Sequence, residues 1–326
     1  MSHFSVLVIG DNPEEQLAPF QENNMDDCPT KYLEFGDVED EYLEQYKNES
    51  VEMLQSPSGE LVYKWDKRFK VGDNIFDQET VIPIEYEEVE VRHAERYSTF
   101  EEYMSEHCGF QERDPDKNRF GYWSNPNSKW DWYQLGGRWK GFFKAKDLKT
   151  AILGESGVFD NEAMEGWADQ LEKKNIDIEG MRNYKGEKAA EAYDAFHVIV
   201  NGREIPNWKE IREKYSEEDI DKARDEYRMN PVVQDMDKDE NFKHYSIFSD
   251  IIEFAETRAD YIQNTRNSAL QTFAVVKDGK WFERGEMGWF GITHNEKDDF
   301  EWGKEFSKLI DNLPEDTLLS LYDCHI

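Results

Sequence analysis

The sequence predicts a mixed α+β protein in which an N-terminal and a C-terminal strand lie in one core sheet. Residues 4–9 (FSVLVI) and 318–326 are apolar strand-like runs at opposite ends of a polar chain. Helix-period and strand-period segments are interspersed between them, and no repeat or low-complexity linker divides the 326 residues into beads. The ends therefore meet and the middle is inserted. The length allows two regions, placed at residues 1–157 and 158–326, with the second contributing its last strand to the shared core.

Taken in order, residues 4–9 read as a buried strand, and Asn12-Pro13-Glu14-Glu15 opens a helix with Asn as N-cap and Pro at the first helical position. Gly10 between them is one glycine where a phosphate-binding loop needs several, and the acids around it repel phosphate. Residues 61–65 and 82–91 read as strands, the second with a polar face made almost wholly of Glu. Thr99 and Glu102 form a capping box ahead of a stripe of Phe100, Tyr103, Met104 and His107. Residues 158–186 are polar and partly helical, and residues 197–200 read as a strand turning at Asn201-Gly202. Two helices are expected at 216–228, stopped by Asn230-Pro231, and at 249–265. Residues 273–282 form a hairpin around Asp278-Gly279. Trp302, Phe306, Leu309, Ile310 and Leu313 line one side of a helix that ends before Pro314.

Charge narrows the functional classes. Seventy-two acidic residues against 39 Lys and Arg give −33, a surface that repels nucleic acid and anionic membranes and suits a basic partner, though solubility alone also accounts for it. Ten Trp, 16 Tyr and 20 Phe supply a core that a disordered acidic chain lacks. Residues 34–60 and 77–106 each carry a net −8, whereas 108–150 carry +4. Cys28, Cys108 and Cys324 are too few for a disulfide framework. No run approaches the roughly 20 apolar residues of a membrane span, and the apolar run near residue 4 is too short for a signal peptide, so a reducing cytoplasm is expected.

The basic stretch holds the most unusual segment, Lys129 through Phe143, where aromatics alternate with Arg and Lys. One reading is a twisted strand pair with core aromatics and a turn at Gly136-Gly137. The other is a partner-binding surface formed by Trp130, Trp132, Tyr133, Arg138 and Trp139. His107-Cys108 and Cys324-His325 lack the spacing that makes metal ligands converge, and no two carboxylates stand out as acid and base. No catalytic, cofactor-binding or metal-ligating residue is expected.

Four segments, taken together, resemble a family of phage and prophage proteins with mostly hypothetical members. They are Ser2-His3-Phe4-Ser5-Val6-Leu7-Val8-Ile9-Gly10 with Glu14 to Pro19, the 129–139 stretch, Gly285-Glu286-Met287-Gly288-Trp289, and Asp323-Cys324-His325-Ile326. The resemblance extends to phage anti-defence proteins directed against the bacterial Gabija system. It implies an oligomeric, non-enzymatic inhibitor in the infected host's cytoplasm. Its partner would be a nuclease with ATPase and Toprim domains joined to a helicase-like subunit, whose DNA binding or cleavage it blocks. No residue role carries over. The alternative is a phage enzyme acting on a nucleotide or sugar through the aromatic-rich segment.

Overall fold

A computed structural model describes residues 2–71, 79–157, 163–216, 219–242, 251–287 and 293–326. The fold is α+β, and its contacts divide the chain into two units: Met1–Gln21 with Asn127–Ile326, and Glu22–Pro126. The sequence placed its boundary after residue 157 instead. Residues 127–157 group with the C-terminal half because their strand, Trp132–Gly137, pairs directly with Leu318–His325. Residues 158–162, where that boundary fell, lie outside the described residues.

The larger unit is built on a mixed sheet. Its order runs Glu155–Ser156, Trp132–Gly137, Leu318–His325, His3–Ile9, Ala274–Lys277, Lys280–Glu283, with Gln170–Glu172 also pairing with Leu318–His325. His3–Ile9 lies antiparallel to Leu318–His325, in register from His3↔His325 to Ile9↔Leu319, and parallel to Ala274–Lys277. The first and last strands thus lie side by side at the centre of the sheet, as the sequence predicts.

Both faces of this sheet are covered, which explains why FSVLVI is apolar at every position but Ser5 rather than alternating. On one face Leu7, Ile9, Val275, Leu319 and Leu321 pack against Trp302, Phe306 and Ile310 of the Asp299–Asp311 helix. That helix starts where the Asp298 side chain accepts from Phe300 N and Glu301 N. On the other face Phe4, Val6, Val8, Tyr322 and Cys324 pack with Leu17, Phe20 and Trp130. A separate helical cluster forms around Phe196 of the Ile178–Val200 helix, with Val232, Val233, Phe254 and Tyr261.

Several local expectations change. Residues 197–200 are the last turn of the Ile178–Val200 helix, and Asn201 closes it at φ 47° with its N–H on His197 O. Asn12 also sits at positive φ and makes no side-chain cap, so Pro13 opens its helix without the expected hydrogen bond. Of the expected 249–265 helix, residues 249–250 lie outside the described residues, and the rest is two pieces, Ile251–Ala255 and Arg258–Asn267, because Thr257 Oγ1 accepts from Asp260 N and restarts it. Of the expected 216–228 helix, residues 217–218 lie outside the described residues; Ile220–Met229 is helical, ends at Asn230, and another helix, Pro231–Met236, begins at once. The 273–282 hairpin is as expected, with Asp278 and Gly279 both at positive φ as a two-residue turn of type I′ requires.

The Glu22–Pro126 unit is smaller and antiparallel. Ser50–Gln55 pairs with Leu61–Val62 and Glu87–Arg92, and Glu34–Asp37 pairs with Gly121–Ser124. Only Glu87–Arg92 of the expected 82–91 strand, and Leu61–Val62 of the expected 61–65 strand, join a ladder. Two small clusters hold the unit, one around Tyr97, Tyr103, Met104 and Phe120, the other around Leu54, Val62 and Phe69. The cap at Thr99 is present, its hydroxyl accepting from Glu102 N while Glu102 accepts from Ser98 N.

Candidate functional site

Strand alternation puts His3, Ser5, Leu7 and Ile9 on one face, so the apolar face ends in polar groups at His3 and Ser5. The register places His3 opposite His325 and Ser5 opposite Asp323, and on the other side Trp132 opposite His325. Two histidine–aspartate pairs result. His3 Nδ1 donates to Asp323 Oδ1 at 2.8 Å, and His325 Nδ1 donates to Asp131 Oδ1 at 2.6 Å. The two imidazoles stand edge to face with centroids 5.0 Å apart, and Trp132 lies 6.1 Å from His3. Asp131 N also donates to His325 O, and Ser2 and Ile326 exchange a pair of backbone hydrogen bonds.

Asp323 is fully buried and accepts a second bond from Arg138 N at 2.9 Å. A second fully buried carboxylate, Asp169, accepts from Gly141 N, Phe142 N and Gly154 N at 2.7, 3.0 and 2.9 Å. Burial pushes its pKa above the usual carboxylate range, against these N–H groups, which pull it down. Between these two carboxylates lies Gly136-Gly137. The pair does not turn a hairpin, because Trp132–Gly137 pairs with Leu318–His325 and Glu155–Ser156 rather than with the chain just after it. Both glycines have positive φ, and a Cβ would come within 2.6 Å of Asp169 Oδ2 at Gly136 and 2.3 Å of Asp323 Cβ at Gly137. The residues after this pair are thus pinned through their backbone N–H groups by two distant buried aspartates.

Chemically, each imidazole keeps Nε2 for a proton or a ligand, while its Nδ1 is oriented by a carboxylate. Among the described residues neither imidazole is hydrogen-bonded to a hydroxyl or thiol. Cys324 packs on the opposite face, its thiol pushed well up by burial and then by Asp323. Among the described residues no group of three or more His, Cys, Asp or Glu could hold a metal ion. The arrangement is a polar clasp joining the first strand, the last strand and the 131–138 stretch.

The five residues named from sequence do not share a surface. Trp130 is only 3% exposed, with its indole N–H on Leu17 O, and is a core residue. Tyr133 is half-buried against Trp130 and Tyr322, and burial raises its pKa. Trp139 is partly buried against the other face's core. Only Trp132, 45% exposed, and Arg138 face outward. The segment is apolar because its aromatics serve both faces of the sheet. Of the Gly285 to Trp289 segment, residues 288–289 lie outside the described residues.

The strongest surface feature lies elsewhere. Residues 22–126 hold 27 acidic against 11 basic residues, a net −16 in 105 residues, whereas the other 221 carry −17. Negative charge is therefore about twice as dense in this unit. Its carboxylates point outward: Asp40, Glu41 and Glu44 on the Glu39–Asn48 helix and Glu87, Glu88 and Glu90 on the Glu87–Arg92 strand are exposed. Exposed apolar side chains, among them Trp65, Val81, Ile84 and Trp123, accompany them. The two −8 stretches pointed here, but the limits of the insertion were not visible in sequence. Among the described residues no helix is long and apolar enough to cross a membrane. The chain matches no family model, no curated protein and no solved structure.

Proposed function

We propose that this protein is a phage-encoded inhibitor that binds a host DNA-acting defence complex stoichiometrically and blocks its DNA binding or cleavage. The Gabija nuclease and its helicase-like subunit are the target that the family resemblance supplies. The observation that carries the reading is the concentration of exposed carboxylate and apolar side chains in the 22–126 unit. A basic DNA channel attracts such a surface at long range, and exposed aromatic and aliphatic side chains then provide contact area. The enzyme alternative relied on the aromatic-rich segment, whose Trp130 is a core residue and whose Tyr133 is half-buried against it.

The test is gel filtration of the protein with the purified defence complex, together with nuclease assays at graded molar ratios. A stable co-complex and inhibition that saturates near equivalence are expected. Inactivation of excess complex by substoichiometric protein, or no co-elution, rejects the reading. Salt titration separates two forms of it, since charge mimicry weakens as ionic strength rises and apolar wrapping does not.

A further inference from the structure

We infer that the Glu22–Pro126 unit carries a stacking site for an arginine side chain of a basic partner protein, built on Tyr63 and Trp65. It deepens the proposed function and rests on that reading for the partner's being a protein.

Tyr63 and Trp65 lie in the turn after Leu61–Val62, closed by Asp66 N donating to Tyr63 O at 3.0 Å. Their rings are stacked, with centroids 4.4 Å apart and planes 13° from parallel. Tyr63 is fixed from within the unit. Its hydroxyl lies 3.3 Å from both Tyr97 Oη and His107 Nδ1, and the Arg96 guanidinium lies over its ring at 4.9 Å. Trp65 is stacked on this anchored ring and is still 61% exposed, so its second face is open to solvent. A cavity of about 410 Å³ beside it is lined by Tyr63, Trp65, Arg96, Tyr97, Glu106 and His107.

An anchored, open indole face favours a planar group that is drawn to the negative face of a π-system. Guanidinium fits because it is planar, permanently charged and weakly hydrated, whereas ammonium is a strongly hydrated point charge. The unit already contains one such contact, Arg96 over Tyr63. Lys64 and Arg68 beside Trp65 are each paired with two carboxylates, Glu106 is exposed at the cavity, and the whole unit carries −16. A nucleobase stacks equally well on indole, but its phosphates would meet this field. Charge decides for arginine.

The test uses the full chain and two dye-labelled peptides, octa-arginine and octa-lysine, with affinity read by fluorescence anisotropy in about 0.15 M salt. Both have the same charge, but guanidinium also pairs bidentately with carboxylates, so the stacking contribution is the part of the difference that depends on Trp65. The arginine peptide should bind roughly fivefold more tightly. Trp65→Ala should remove most of this preference without changing lysine binding, and Trp65→Phe should restore part of it. No preference in the native chain, or one that Trp65→Ala leaves undiminished, overturns the inference. So does Trp65-dependent binding of oligo-dT. No defence complex enters this assay, so its failure leaves the stoichiometric-inhibition test standing, and failure of that test leaves the peptide result standing.

Discussion

Replacing Asp169 with Asn tests whether a buried carboxylate organises the chain after Gly136-Gly137. Asp169 Oδ1 accepts from Gly141 N and Phe142 N, and Oδ2 accepts from Gly154 N. Asparagine keeps one oxygen for the first pair and sets an NH2 group against Gly154 N–H, donor facing donor. The loss of one charge-assisted bond and the unsatisfied donors together cost about 3–5 kcal/mol. Against this, the native carboxylate carries its own burial cost at neutral pH, seen as its raised pKa. The net destabilisation is therefore about 2 kcal/mol at pH 7. Because the folded pKa is above the unfolded one, protonation favours the native state. The native chain's stability contribution from this group is complete below the unfolded pKa and is lost as pH rises through the folded value. The Asn variant does not titrate, so its deficit should grow as pH falls from 7 toward about 4. Urea unfolding at several pH values measures the deficit, and amide exchange should show lost protection at Gly141, Phe142 and Gly154. An Asn variant as stable as the native chain at pH 7, or a deficit that shrinks on acidification, refutes the reasoning.

Three further outcomes are expected. Deleting residues 318–326 removes a strand that pairs with His3–Ile9, Trp132–Gly137 and Gln170–Glu172, so the cooperative thermal transition should disappear, and an unchanged melting temperature would reject the shared-sheet architecture. Trp130→Ala should destabilise by about 3–5 kcal/mol in denaturant titrations while the exposed Trp132→Ala costs under about 1 kcal/mol, and equal costs would contradict the assignment of one to the core and the other to the surface. His93 and His107, with rings 4.8 Å apart, are both held below the usual histidine range by burial first, and then by His107 and by Arg96 respectively. Their contribution to stability is complete above about pH 6.5 and is lost as pH falls through the folded values, so NMR titration should place both below 6.5, and a value at or above it rejects the sign.

The parts legible in sequence are those whose physics is local. Asp278-Gly279 between apolar runs, the 302–313 stripe and the FSVLVI run each state their structure within a dozen residues, and each forms as expected. Residues 197–200 were misread because a four-residue apolar run fits a helix turn as well as a strand, and the preceding residues decide between them. Gly136-Gly137 was misread for a different reason. Its glycines answer to Asp169 and Asp323, which are far away in sequence and show no local signal. Asp169 was one carboxylate among 72 acidic residues, and only its complete burial sets it apart. The same holds for His3 and Asp323, which are 320 positions apart.

These contacts bear on what a resemblance can carry. Of the four segments on which it was drawn, the first, the second and the last meet in the clasp of His3, Asp131, Arg138, Asp323 and His325. Their side chains and backbone groups are occupied in holding strands together. Partner choice needs exposed groups that can vary without unfolding the sheet, and the carboxylates of the 22–126 unit meet that condition. The clasp therefore speaks for the framework, and under the proposed function partner choice falls to the 22–126 unit. Charge-reversing the exposed Glu44, Glu85 and Glu87 to Lys should leave the melting temperature within a few degrees while weakening association with a basic partner. Disrupting the clasp with Asp323→Ala should do the reverse, lowering stability by several kcal/mol because the partly buried His3 imidazole and the Arg138 N–H lose their acceptor. If the triple charge reversal left binding intact and Asp323→Ala abolished it in protein that still folds, the division of roles would be the wrong way round.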